Sequence, residues 1–212
     1  MKNLLYKELK LVSHPMVFIF SLFGIMLLIP SYPYLIPFIY CFVSFTFIFI
    51  GGRESKDMFF TTCLPIERKS VVTSRFISIM IIELFTVAFA VPFAFLSHII
   101  NKNGNDMLDA NMALFGFVLL MYGIFNYIFL TIFYKTAYKL AKPFLYGSIV
   151  VLIYGVAIEV LIQAVPVLKE NLDGFSGILP QAIVLCIGIV GYALLNIFAL
   201  KKSQKEFLLI DL

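Results

Sequence analysis

Few side chains in this 212-residue chain could do chemistry in an apolar setting. Glu83 lies eight residues past Arg75, about 12 Å further along a helix at 1.5 Å per residue. It interrupts Phe76–Ile100, a stretch with no other Asp, Glu, Lys or Arg. Glu159 interrupts Phe144–Val165 in the same way, seventeen residues past Lys142, or about 25 Å on the same rise. An ionisable side chain at mid-helix costs roughly 2.5–3.5 kcal/mol on insertion scales, so each carboxylate is a functional candidate. Glu83 either holds a structural hydrogen bond, with Asn126 or a lysine as donor, or lines a wet cavity. Glu159 reads as a carboxylate at headgroup level. The two histidines, His14 and His98, fall at opposite membrane boundaries, and no His or Asp accompanies Glu83 at its depth. The Ser/His pair, paired Asp or His/Glu metal cluster of an intramembrane protease is therefore missing. Cys41, Cys63 and Cys186 form no CxxC pair, which leaves neither a disulfide scaffold nor a zinc site. No catalytic and no metal-ligating residue is expected.

The elements that position these groups follow from composition. Hydrophobic residues make up 62% of the chain and charged ones 13%, against about 45–50% and 25% in soluble domains. Leu11–Gly52, Ala110–Tyr134 and Gly174–Leu200 carry no Asp, Glu, Lys or Arg. About 20 apolar residues span the hydrocarbon core, so each run can cross once and the first can cross twice. A water-soluble enzyme, a nucleic-acid binder and a disordered tail are excluded. Pro30, Pro33 and Pro37, with Tyr32 and Tyr34 among them, break the first run at an interfacial turn. The expected fold is an all-α polytopic membrane protein, one transmembrane domain over residues 1–212. Its six spans are near His14–Ile29, Tyr34–Ile50, Phe76–Ile100, Asn111–Tyr134, Phe144–Val165 and Ile178–Leu200.

The net charge of +4 is informative through its distribution. Six spans put fourteen of the cations on one side, leaving only Lys102 and Lys169 on the other, beside Asp106, Asp109, Glu170 and Asp173. The positive-inside rule makes both termini cytoplasmic. The outer loops, residues 101–111 and 166–177, are short. Residues 1–13 read as an amphipathic interfacial helix with Leu4, Leu5 and Leu9 on one arc and Lys2, Lys7 and Lys10 off it. Glu8 falls within the apolar arc, so it either snorkels or meets a basic partner on a neighbouring element. No small-residue cleavage site follows, and the first apolar segment reads as an uncleaved span.

The cytoplasmic loop 51–75 is the richest segment. After Gly51-Gly52 come charged residues, Met58-Phe59-Phe60, and then Leu64-Pro65-Ile66-Glu67-Arg68-Lys69-Ser70-Val71-Val72-Thr73-Ser74-Arg75. Pro65 suits the first turn of a helix, and Glu67 complements its dipole. The segment is either a solvated basic anchor for the next span or a short helix offered to a cytoplasmic partner.

The run Leu-Pro-Ile-x-Arg-Lys-x-Val-Val-x-x-Arg between the second and third of six spans resembles the membrane subunit of type-2 (ABC-2) ATP-binding-cassette exporters. The opening Leu-Leu-Tyr-Lys-Glu-Leu-Lys is similar to the elbow helix of such permeases. The likeness is strongest to the small permeases of Gram-positive bacteria, such as the phenol-soluble modulin exporter subunit. This resemblance implies a multi-pass subunit of the bacterial plasma membrane, in a complex of two permeases and two ATPase subunits. The permeases are expected to be two copies of one chain. Leu64, Pro65, Ile66, Arg68, Lys69, Val72 and Arg75 would then form the coupling helix that docks on the ATPase, with Lys7 and Glu8 in the elbow. The chain holds no G-x-x-x-x-G-K-[ST] pattern, so ATP and Mg would sit on the partner chain. Abundant Phe and Met, with Glu83 and Asn126 as cavity-lining candidates, suit an amphipathic or lipid-like cargo better than a sugar, and the resemblance implies that the cargo is amphipathic peptides leaving the cell. The alternative is the six-span substrate-binding subunit of an energy-coupling importer or another small-molecule or lipid transporter. A membrane enzyme is the weakest reading.

Topology is directly testable. Cysteines placed at Asn105 and Asp173 should label from outside intact cells, whereas one at Lys202 should stay unmodified. Labelling at Lys202 contradicts the six-span arrangement.

Overall fold

A computed structural model describes residues 2–12, 15–101, 105, 107–136, 139–174 and 177–210. His14, Lys102, Asp106 and the ends of the proposed elbow, Met1 and Ser13, lie outside the described residues. The chain is all-α there: α1 (Lys2–Lys7), α2 (Met16–Ser21), α3 (Ile36–Glu54), α4 (Asp57–Cys63), α5 (Arg68–Ile100), α6 (Met112–Lys135), α7 (Ala141–Ala164), α8 (Pro166–Leu172) and α9 (Ile178–Leu208). Five helices, α3, α5, α6, α7 and α9, are long and apolar enough to cross a membrane, and Met16–Leu28 is a shorter apolar helix.

That first span is reached by an uncommon geometry. Six α-helical residues pass into a 3₁₀ segment at Leu22–Leu28. Because a 3₁₀ helix rises about 2.0 Å per residue, thirteen residues cover about 23 Å rather than the 20 Å of an α-helix. The 3₁₀ segment packs against α5. Gly24 makes the approach possible, since a Cβ there would stand 3.0 Å from the Ala90 Cβ, and one turn earlier Ser21 and Thr86 hydroxyls meet at 2.9 Å.

Helix boundaries exceed the apolar runs at one end of the bundle. Phe76–Ile100 was the expected third span, but α5 starts at Arg68 and its 33 residues extend about 50 Å. The cause is a buried stripe that begins before the charges end: Val72, Phe76, Ile79, Glu83, Thr86, Ala90, Ala94 and Ser97 are all buried at spacings of three and four. Likewise α9 runs past Leu200 to Leu208. The N-terminus, α4, the start of α5 and the end of α9 gather at this basic end, where Lys7 meets Asp57 and Arg68 Nη1 donates to the Ile210 carbonyl at 3.4 Å. The opposite end carries a second set of carboxylates. There Leu108 N donates to Glu159 Oε1 at 2.8 Å, Asp109 N donates to Asp173 Oδ1 at 3.1 Å, and Asn111 Nδ2 donates to the Leu172 carbonyl at 2.7 Å. Glu159 therefore pins the segment before α6 at this end of the bundle. The expected loop over 166–177 is partly helical, because Pro166 opens α8 at its first turn.

The core is aromatic and centred on α6. Phe125, Phe129 and Phe133 form a ladder on one face, and Phe42 stacks on Phe125 at 3.9 Å between ring centroids while Phe49 meets Phe133 at 4.5 Å. Helix α9 lies on another face of α6 at backbone-to-backbone distance. A Cβ on Gly188 would collide with the Gly116 carbonyl oxygen, and one on Gly116 would sit 2.6 Å from the Val184 oxygen. Gly188→Val should therefore destabilise the bundle by about 1–3 kcal/mol or more, the usual cost of overpacking. Thermal unfolding in detergent checks this, with Gly51→Ala as the neutral control because open space surrounds that position.

Candidate coupling site

Between α3 and α5 the chain turns twice at the basic end, at 55–56 and at 64–67. Helix α3 runs through Gly51 and Gly52 to Glu54, and Lys56 then adopts a left-handed conformation at φ 51° that turns the chain into α4. Asp57 opens α4, where a carboxylate suits the helix dipole. Thr61 lies one turn later on the same face and is buried, so this face of α4 points inward. Phe59 and Phe60 point away and are 52% and 65% exposed. Leu64, also exposed, continues that surface in an extended conformation.

The inward face closes an ion cluster. Arg75 Nε donates to Glu8 Oε2 at 2.8 Å and Nη2 donates to Glu8 Oε1 at 3.2 Å, a two-pronged pair, while Nη2 also donates to Asp57 Oδ2 at 2.8 Å. Lys7 Nζ donates to Asp57 Oδ1 at 2.9 Å and Thr61 Oγ1 at 2.9 Å, and stands 3.2 Å from Glu8 Oε1. Two cations and two carboxylates balance. Glu8 and Arg75 are each 1% exposed, so the cluster is sequestered and any unmatched member would be costly. Two features of α3 accept the guanidinium: the Phe49 ring lies 5.6 Å from its central carbon, and a Cβ at Gly52 would come within 3.3 Å of Nη1. The cluster ties α1, α3, α4 and α5 together, and the helix widens to a π-helix at Glu8–Val12 where Glu8 reaches in.

Several expectations change here. Pro65 does not open a helix: it lies in the irregular link 64–67, and α5 starts at Arg68 with Glu67 at the cap position. Leu64, Pro65, Arg68 and Lys69 are exposed and Ile66 is half-buried, so these five can meet a partner. Val72 and Arg75 cannot, because Val72 belongs to the buried stripe of α5 and Arg75 is held by Glu8 and Asp57. Of the two readings of Glu8, the geometry shows the one with a basic partner. Asp57 and Thr61 were not singled out from sequence. The exposed Phe pair inside a charged loop was the available signal for α4.

Glu83 and Asn126 are likewise enclosed rather than cavity-lining. Glu83 Oε2 accepts from Tyr192 at 2.7 Å and from Asn126 Nδ2 at 3.0 Å, and Asn126 Nδ2 also donates to Asn196 Oδ1 at 3.0 Å. Glu83, Asn126 and Asn196 are all buried. The cluster bonds α5, α6 and α9 at mid-bundle. A separate cavity of about 480 Å³ lies towards the acidic end between the same three helices, lined by Val87, Phe95, Phe115, Leu119, Ile178 and Leu185 among others, and neither Glu83 nor Asn126 reaches it.

Arg75→Ala should leave Glu8 and Asp57 sharing Lys7 as their one remaining cation in the cluster and cost about 3–5 kcal/mol. Arg75→Lys should recover only part, because an ammonium cannot reproduce the two-pronged contact. Limited proteolysis between α3 and α5 in detergent reads the effect. A cleavage rate unchanged in Arg75→Ala shows that the cluster does not brace α4.

A family model described as "ABC-2 family transporter protein" matches residues 3–207. No curated protein and no solved structure matches the chain. The match takes in α1, every apolar helix and nearly all of α9. It agrees with a multi-pass helical bundle, and membership implies an ABC ATPase as partner. The chain belongs to the ABC-2 family of transporter proteins and is a membrane permease component.

Proposed function

We propose that this permease works as an exporter of amphipathic peptides, driven by ATP and Mg bound to a separate ATPase, in a complex of two identical permeases and two ATPases. Both termini and the α4 region face the cytoplasm, consistent with the cation asymmetry. One observation carries the reading: an apolar surface of Phe59, Phe60 and Leu64 stands exposed among charges on α4 and the residue after it, braced by partly buried ion pairs. Exposed aromatics at a rigid site are the usual anchors of a protein interface. In this reading Ile66, Arg68 and Lys69 supply the rim, and Arg75 and Val72 support the docking surface from behind.

The cargo part rests on the cavity between α5, α6 and α9. Its walls are chiefly apolar, with Asn111 and Gln181 as polar members, which suits the apolar face of an amphipathic helix better than a sugar. Glu83 lies outside it, and the described residues that line the cavity include no carboxylate to select cationic peptides.

Reconstitution with the cognate ATPase tests both parts. Phe60→Ala with Leu64→Asp should lower ATP hydrolysis about tenfold or more, as expected for loss of a central interface anchor, with membrane insertion intact. Amphipathic helical peptides should stimulate hydrolysis and accumulate on the far side. Normal hydrolysis in the double variant removes α4 from the interface, and stimulation only by sugars or small ions rejects the cargo.

A further inference from the structure

We propose that the basic end of α9 forms, with α6, a binding site for one phospholipid carrying an anionic headgroup. Tyr127, Leu195, Phe198, Lys201, Lys202 and Lys205 line an open cavity of about 560 Å³ between the two helices. The α9 members recur at helical spacing and so form one stripe. The stripe changes character along its length, with Leu195 and Phe198 on the membrane side and three ammonium groups beyond them. That order, apolar and then cationic over nearly three turns, matches a lipid lying with its acyl chain in the bilayer and its phosphate at the boundary.

These lysines make no close ion pairs among the described residues, in contrast to Lys7 and Arg75 at the same end. Lys202 is already oriented: its Nζ lies 5.1 Å from the Tyr127 ring centroid and 3.5 Å from the Tyr127 hydroxyl. The helix dipole favours Lys205 in the last turn of α9, and the positive-inside bias accounts for cations at this end, but neither requires three lysines to line one cleft. A phosphate supplies the missing anion through charge-assisted hydrogen bonds, and basic pockets between membrane helices are a recurrent setting for anionic headgroups. The cleft keeps its shape because α6 and α9 touch one turn deeper, where a Cβ on Gly123 would lie 3.0 Å from Leu195 Cδ1.

Occupancy would reach the coupling site through α9. Gln204 Nε2 donates to Thr73 Oγ1 at 2.8 Å, next to the lysines in sequence and on the first turns of α5. The site is distinct from the cavity assigned to cargo and does not depend on that assignment.

Native mass spectrometry of the full chain in a maltoside detergent, with dioleoyl phosphatidylglycerol or phosphatidylcholine added, provides the test. The unaltered protein should retain phosphatidylglycerol about tenfold better than phosphatidylcholine. Lys201→Gln, Lys202→Gln and Lys205→Gln together should abolish that preference, while the triple arginine variant keeps it and shows that charge rather than folding is at issue. Lys135→Gln, Lys139→Gln and Lys142→Gln together, a charge change of equal size at the same end, should leave retention within about twofold. Phe198→Ala should weaken retention of the whole lipid. The inference is overturned if the two triple-glutamine variants lose retention equally, since that indicates diffuse attraction of the basic surface. It is equally overturned if no headgroup preference exists, or if glycerol 3-phosphate alone displaces the lipid and marks the site as one for free anions.

Discussion

A guanidinium removed from water must be met by carboxylates, and Arg75 places that demand at the basic end of the bundle. Taking an ion from water into a protein interior costs several kcal/mol unless its donors are matched. Glu8 and Asp57 are drawn in from different elements, 67 and 18 residues away. Lys7 then balances the second carboxylate, and Gly52 stays without a side chain so that the guanidinium fits against α3. Once Asp57 and Thr61 face this cluster, helical geometry leaves Phe59 on the outside, with Phe60 exposed on the flank. The apolar surface assigned to the ATPase is thus a consequence of a buried charge.

The middle of the bundle solves a different problem. Lipid offers no hydrophobic drive for one apolar helix to leave the bilayer for another, so close packing and interhelical hydrogen bonds must do it. Gly116, Gly123 and Gly188 bring α6 and α9 to backbone contact, and Glu83 then ties α5 to both through Asn126 and Tyr192. Helix α5 consequently runs unbroken from the ion cluster through the Glu83 cluster to the wall of the apolar cavity. Under the proposed mechanism, a displacement of α4 by an ATPase is carried along this helix to the cavity without an intervening hinge loop.

The outer faces complete the architecture. Leu145, Ile149, Ile153, Val156 and Val160 on α7, with Ile183, Ile187, Val190 and Leu194 on α9, are exposed. In water such continuous apolar surface would drive association; in a bilayer it meets acyl chains. A second permease copy, as proposed, would cover part of it. The phenylalanines behave otherwise: Phe38, Phe42, Phe45, Phe49, Phe125 and Phe129 are fully enclosed. Much of the aromatic content thus fills the protomer core rather than a translocation path.

By itself the sequence determined the number and order of the apolar helices, because bilayer thickness is a length requirement that uncharged runs either meet or fail. It also separated a basic end from an acidic one. Glu8 showed as a misfit on its helical arc, and the spacing of Val72, Phe76, Ile79 and Glu83 held the signal that Arg75, beside Phe76, turns inward. The charge of Arg75 suggested a surface contact instead. Only the tertiary structure decided that, because an ion pair between residues 67 apart leaves no trace in local periodicity. It likewise decided that Glu83 is bonded rather than cavity-lining. Asn126 and Tyr192 come from helices whose approach depends on glycine contacts such as Gly116 with Gly188, and no spacing rule along one chain encodes which glycine meets which.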